Sequence, residues 1–141
     1  MSDSPRRYRV MFVCIGNSCR SPMAEAIARH RYSDIIEAES AGVSPAPIVQ
    51  PSTYACLAEA GVPLEPERTP RRLEDADWAS MDVIVNLSGM GILPLIPGYK
   101  GANVVWEVGD PIGKPMPVYR QARDRIERMV ERLAELLRNQ S

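Results

Sequence analysis

A chain of 141 residues, 45% hydrophobic and 25% charged, has the composition of one globular domain whose core needs no covalent staples. Its net charge of −1 offers no bulk field to nucleic acid or to an anionic membrane surface. One histidine, His30, and three cysteines leave no material for a zinc cluster, a Ser-His-Asp machine or a disulfide framework. No apolar run approaches the ~18 residues of a membrane span. The polar start, Met1 to Arg7, lacks a signal peptide's apolar stretch. Residues 1–7 therefore read as a disordered tail, residues 8–141 as the domain, and the compartment as a reducing cytoplasm.

In chain order, Tyr8–Val13 is an apolar run that reads as a buried strand, and it feeds straight into Cys14. Ser21 and Pro22 then read as the N-cap and first residue of a helix reaching Tyr32. Ile36–Ser40 reads as a second strand and Ser52–Ala60 as a helix that Gly61 stops. Trp78 is expected in a short helical turn before a strand at Asp82–Leu87. Gly89–Pro97 is broken by glycine and proline, and Asn103–Trp106 reads as the last strand. A final helix, Val118–Arg138, sets Tyr119, Ala122, Ile126, Met129, Val130, Leu133 and Leu137 on one face. Strands alternating with helices predict a parallel sheet covered on both sides. No repeat or linker marks a second domain.

The loop from Ile15 to Arg20 lies between a strand's carboxyl end and a helix's amino end. Free N–H groups and the positive end of the helix dipole meet there and favour a bound phosphate. Gly16 and Asn17 tolerate the positive φ that an inward-folding loop demands. Cys14 sits at the lip of this cradle, where the same field favours an anionic sulfur, so it reads as a nucleophile aimed at phosphorus. The cradle itself would be Ile15, Gly16, Asn17, Ser18 and Cys19 with the Ser21 hydroxyl. Arg20 carries a planar fork suited to two phosphoryl oxygens. A helix dipole opposes a bare cation at that end, which makes better sense beside an anion. Asp110 precedes Pro111 in a loop rich in glycine and proline, and by itself this pair signals only a turn.

The run Cys14-Ile-Gly-Asn-Ser-Cys-Arg-Ser-Pro-Met-Ala-Glu25 resembles the signature of the low-molecular-weight protein tyrosine phosphatase family. That family includes protein arginine phosphatases and thioredoxin-coupled arsenate reductases. Ser40-Ala-Gly42 and Asp110-Pro111 extend the likeness from about Tyr8 to Leu137. The resemblance implies an α/β fold, phosphotyrosine protein phosphatase I-like, with a four-stranded parallel doubly wound sheet and helices on both faces. It implies hydrolysis of phosphoprotein through a phosphocysteine on Cys14, with Arg20 on the phosphoryl group and Asp110 as general acid. No metal, cofactor, nucleic acid or membrane partner is implied, and the oligomeric state is left open.

Other roles come from the same likeness. Asn17 looks like the loop's organiser. Cys19 is either a redox partner for Cys14 or a small residue packed under the loop, and Cys56 reads as core. Tyrosine-specific members carry a bulky aliphatic residue at the Ser18 position and aromatics after the Asp-Pro pair. Here Ser18 and Ile112 stand in those places, so phosphotyrosine is the default substrate and phosphoarginine its competitor. Arsenate reduction through a thiol relay would need further cysteines, and none follows Cys56. A non-catalytic phosphate-binding or redox-sensing module is the remaining alternative. Arg68 replaces a histidine common in the family, and with Arg71 and Arg72 it reads as a solvated basic loop. Asp82 reads as a cap or a solvated residue.

Overall fold

Four parallel strands run in the spatial order β2-β1-β3-β4 in the structure, a computed structural model that describes residues 6–140. They are β1 (Tyr8–Cys14), β2 (Ile36–Gly42), β3 (Val83–Asn86) and β4 (Ala102–Val105). Three α-helices connect or follow them: α1 (Arg20–Arg31), α2 (Pro51–Glu59) and α3 (Met116–Arg138). Residues 1–5 of the expected tail lie outside the described residues. Arg6 is described; it pairs with Asp82 at 3.2 Å and lies over the Tyr8 ring.

The two-residue period of β1 divides its side chains between two cores. Tyr8, Val10 and Phe12 join Met23 and Ile27 of α1, Leu57 of α2, and Ile126 and Val130 of α3. Met11 and Val13 face the other way, onto Ile84, Leu73, Ile92 and Ile96. The second face is covered by loops and by two 3₁₀ turns, Leu73–Asp75 and Leu93–Leu95. Helical segments thus cover both faces, and from Val10 to Cys14 β1 is apolar because neither side meets water; Arg9 near its start is partly exposed and paired with Glu39 and Asp77.

Three local expectations shift. The first helix starts at Arg20 with Cys19 as its N-cap residue, two residues ahead of the expected Ser21 cap. Ser21 is unavailable as a cap because its hydroxyl faces Cys14 and Asn17. Pro22 falls third in the helix, where its missing N–H still costs nothing. Trp78 lies outside the 3₁₀ turn and packs edge-on against Tyr99, ring centroids 6.5 Å apart. Asp82 is a strand clamp, its carboxylate accepting from the Arg9 backbone N–H at 2.8 Å.

The carboxyl ends of β1 and β2 set the stage for the site. Cys14 pairs in register with Gly42. A Cβ on Gly42 would stand 2.7 Å from the Ile15 carbonyl and 2.8 Å from the Asn17 nitrogen. Those are backbone atoms, which cannot swing aside, so the close approach of loop to strand requires glycine there. At Gly91 an added Cβ meets nothing within 4 Å, and the φ there is ordinary. Urea unfolding should therefore show Gly42→Ala destabilised by about 1–3 kcal/mol. Gly91→Ala should stay within about 0.5 kcal/mol of the parent. Equal midpoints for the two would show that the loop does not press on β2.

Candidate active site

Cys14 ends β1 and Arg20 opens α1, so the loop between them occupies the carboxyl edge of the sheet, the usual ligand edge of an open α/β fold. The segment after β2 runs alongside this loop and bonds to it. Val43, Ser44, Ala46 and Gln50 donate backbone N–H groups to the carbonyls of Cys14, Ile15, Gly16 and Ser18 at 2.8–3.0 Å. Thr53 Oγ1 of α2 adds a bond to the Ser18 carbonyl at 3.0 Å. In a trans peptide the C=O and the following N–H point in opposite directions. Tying the carbonyls to one side therefore turns the amides of Ile15, Gly16, Asn17 and Cys19 to the other.

Asn17 takes the positive φ, +50°, that the bend requires. Gly16 does not. Its lack of a side chain serves packing instead, because a Cβ there would stand 3.1 Å from Ser18 Oγ and 3.4 Å from the Ala46 Cβ.

Beneath the loop a buried chain of hydrogen bonds leads to the cysteine. Asn17 Oδ1 accepts from the Arg71 backbone N–H at 2.9 Å, which fixes the orientation of the amide. Its Nδ2 donates to Ser21 Oγ and to Ser40 Oγ, each at 2.9 Å. Ser40 in turn donates to the Glu25 carboxylate. Since Ser21 Oγ accepts from Asn17, its own hydrogen is free for Cys14 Sγ at 2.9 Å, with the Ala41 carbonyl at 3.4 Å the longer alternative.

Glu25 is fully buried and held by two cations, Arg68 and, at 2.9 Å, Arg29. Arg68 also donates to Ser40 Oγ at 3.2 Å. The solvated-loop expectation therefore fails for Arg68. A buried carboxylate in the first helix needs a cation, and Arg68 supplies it. Glu25 and Ser40 are the functional neighbours that sequence reading left without a role.

Arg20 is nearly buried and fastened to the far strands. Its Nη1 donates to the carbonyls of Leu87 and Val108 at 2.6 and 3.0 Å, just beyond β3 and β4. Its Nη2 lies 3.7 Å from Asp110 Oδ2. Asp110 is oriented by its own turn, Oδ1 accepting from the Ile112 N–H at 3.0 Å, and its side chain remains 40% exposed. Cys14, Arg20 and Asp110 are thus gathered at one edge.

Ser18 is buried, and its Oγ has no hydrogen-bond partner among the described residues. Ile15 in the loop, Ile48 in the segment after β2 and Ile112 after the Asp-Pro pair are exposed. Cys19 packs under the loop, where burial pushes its thiol up to about 12. Cys56 is buried in α2, its thiol likewise raised by burial to about 11 and its Sγ donating to the Thr53 carbonyl at 3.4 Å. Trp106 belongs to the core, its ring 5.8 Å from that of Phe12. Among the described residues no group of three or more His, Cys, Asp or Glu side chains is placed to hold a metal ion, and no helix is long and apolar enough to cross a membrane.

Comparison with known proteins agrees with this architecture. A protein-arginine-phosphatase of Geobacillus stearothermophilus is 35% identical, the match covering 94% of this chain and 98% of that one. A glutaredoxin arsenate reductase of Synechocystis sp. is 32% identical over 89% of this chain and 95% of its own. The solved structure of an arginine phosphatase from Geobacillus stearothermophilus superposes with a TM-score of 0.84, at 30% identity, over 94% of both chains. The family profile described as low molecular weight phosphotyrosine protein phosphatase matches residues 9–141. The chain belongs to the low molecular weight phosphotyrosine protein phosphatase family and is a hydrolase of that type.

Proposed function

We propose that this enzyme removes phosphate from phosphorylated protein side chains through a phosphocysteine on Cys14, and that it prefers phosphoarginine to phosphotyrosine. Cys14 attacks phosphorus in line as the bond to the leaving nitrogen or oxygen breaks, and Asp110 gives that atom its proton. Water then attacks the phosphocysteine, Asp110 takes the water's proton, and the S–P bond breaks to release phosphate and the thiolate. Arg20 and the amides of residues 15–20 hold the phosphoryl oxygens, whose charge is spread in the transition state. Asn17 and Ser21 act on the cysteine and the loop rather than on substrate. The reaction needs a free thiol, which suits a reducing cytoplasm.

One observation carries the substrate preference: the buried Ser18 hydroxyl without a partner beside Gly16 and Ala46. A buried hydroxyl left unpaired costs about 1–3 kcal/mol, recovered by a ligand that bonds to it. A guanidinium N–H next to the phosphoryl group is such a donor, and a phenyl ring is not. The residue after the Asp-Pro pair, Ile112, is 41% exposed and offers an arginine's methylene stem an aliphatic contact where a ring would stack on an aromatic. The 35% identical arginine phosphatase supports the same reading. Arsenate reduction by thiol relay is the less favoured reading, because no cysteine follows Cys56 and Cys56 itself is buried in α2. Cys14 and Cys19 are both free and buried, and a redox role for the pair stays secondary to this reading.

Three measurements follow. On matched peptides, kcat/KM for phosphoarginine should exceed that for phosphotyrosine by tenfold or more, and Ser18→Ile should reverse the order. Retained preference in that variant would remove Ser18 from the account. Asp110→Asn should slow the enzyme by 10²–10⁴-fold on poor leaving groups, the range typical of a lost general acid, and much less on p-nitrophenyl phosphate; uniform slowing on both would rule out proton donation. Iodoacetamide at pH 7 should label Cys14 well before Cys19 and Cys56, read by fragment mass spectrometry, because Cys14 stands at the helix's positive end with the Ser21 hydroxyl on its sulfur, while burial pushes Cys19 and Cys56 up to about 12 and about 11. Equal labelling of Cys19 would mean that the loop is not closed over it.

A further inference from the structure

We propose that the outer edge of β4, with the cleft beside it, docks an extended segment of the substrate polypeptide that carries an apolar side chain a few residues from the phosphorylated one. The inference rests on the phosphatase reading above and adds to it a subsite remote from the reacting atoms.

The cleft measures about 840 Å³ and lies between the loop after β3 and the end of β4. That is within the ~300–1,000 Å³ of typical ligand sites. Arg20 forms part of its wall, and the carbonyls that hold Arg20, those of Leu87 and Val108, belong to residues of the same wall. The cleft therefore begins where the phosphate loop ends. Met90, Leu93 and Val105 line it at 50%, 58% and 62% exposure, three large apolar side chains left open to water along one channel. Such a concentration of apolar surface marks a contact site more often than scattered exposed residues do.

The backbone supplies the second half of the site. β4 is the last strand of the sheet, and among the described residues no strand lies on its outer side. Ala102 and Trp106 donate their N–H groups to the carbonyls of Asp82 and Asn86, on the β3 side. By the alternation of a ladder, the N–H and C=O groups of Asn103 and Val105 face away from β3. Both residues line the cleft. An exposed edge of this kind is a template for an added strand, whose main-chain bonds give affinity while a side-chain pocket gives selectivity.

The distances suit one continuous peptide. Neighbouring strands lie ~4.8 Å apart, which puts β4 about 10 Å from β1 and an added strand about 15 Å away. An extended chain that first crosses the carboxyl ends of the strands, at ~3.3 Å per residue, covers that span in roughly four to five residues before it turns to pair with β4. The apolar residue thus falls about four to five positions from the phosphorylated side chain held over Cys14.

The test uses reduced full-length protein with three kinds of substrate: phosphopeptides with leucine at those positions, the same peptides with serine there, and p-nitrophenyl phosphate. The leucine peptides should show a KM at least fivefold below the serine peptides at similar kcat. In Val105→Asp, and separately in Leu93→Asp on the opposite wall, the gap should close to under twofold, with kcat/KM on p-nitrophenyl phosphate within twofold of the parent. Both positions are exposed, so at least one variant should fold. Equal KM values in the parent would overturn the proposal, as would a gap that survives both variants. Parallel losses on p-nitrophenyl phosphate would assign the two residues to the fold instead. A parent dimer by sedimentation that both variants dissolve, with no KM gap, would give the edge to a second copy of the chain. Failure of the phosphatase reading looks different: p-nitrophenyl phosphate is not hydrolysed at all, or is hydrolysed undiminished by Cys14→Ser.

Discussion

The structure turns on a constraint of backbone direction. A loop of six residues can hold an anion with its amides only if its carbonyls are occupied elsewhere, because each peptide unit points its two polar groups opposite ways. The strand after Cys14 cannot continue to pair, and the helix has not yet begun, so no regular element supplies those partners. The segment from Val43 to Gln50 does so, with four backbone bonds reinforced by Thr53. This explains why β2 must lie beside β1, why it ends level with Cys14, and why its last residue is Gly42, the only side chain small enough for the loop to pass. The sheet order is in this sense a requirement of the loop.

A second constraint concerns the direction of hydrogens. Serine has one hydroxyl hydrogen, and a chain of hydroxyls and amides can run toward or away from a nucleophile. Here a carboxylate at the far end settles the matter: Glu25 can only accept, so Ser40 donates to it, Asn17 donates to Ser40 and Ser21, and Ser21 has its hydrogen left for Cys14. The Glu25 charge is affordable in the interior because Arg68 and Arg29 are placed on it, and removing a partner from such a buried pair costs about 3–5 kcal/mol. Arg68 donates to both Glu25 and Ser40 and, as a guanidinium, has no acceptor that could turn the direction round. The polarity of the chain is therefore fixed rather than switchable.

Much of this was legible in the sequence, and the exceptions have physical causes. The apolar run before Cys14, the helical period of the last helix and the Gly61 stop depend on neighbours close in the chain, so pattern reading reaches them. Ser21 as a helix cap was the reasonable local inference. It failed because a long-range partner, Cys14, claimed the hydroxyl. Arg68 was misjudged for the same reason: its partners Glu25 and Ser40 lie 43 and 28 residues away, and a basic loop looks solvated until the buried carboxylate is known. Glu25 did leave a signal, a lone acid between Met23, Ala24, Ala26 and Ile27, where an apolar face would be expected. The cleft beside β4 left none, since its three exposed apolar residues, Met90 and Leu93 from the segment after β3 and Val105 from the edge strand, share no period.

The two constraints together explain how one scaffold supports different substrates among relatives. Everything that would handle the phosphoryl group is determined several times over: the loop by β2 and the segment after it, Cys14 by a buried chain, Arg20 by carbonyls from two strands. A change in any of these leaves a buried polar group unpaired, at about 1–3 kcal/mol each, so such changes are costly to the fold as well as to the chemistry. The mouth is different. Ile15, Ile48 and Ile112 are exposed, and substitutions at such positions usually shift stability by less than about 0.5 kcal/mol. Ser18 stands at the boundary: its carbonyl is tied to Gln50 and Thr53, while its buried hydroxyl has no partner among the described residues. Exposed positions around the loop can therefore change at little cost to the fold, while the segment from Cys14 to Arg20 is held by partners on every side.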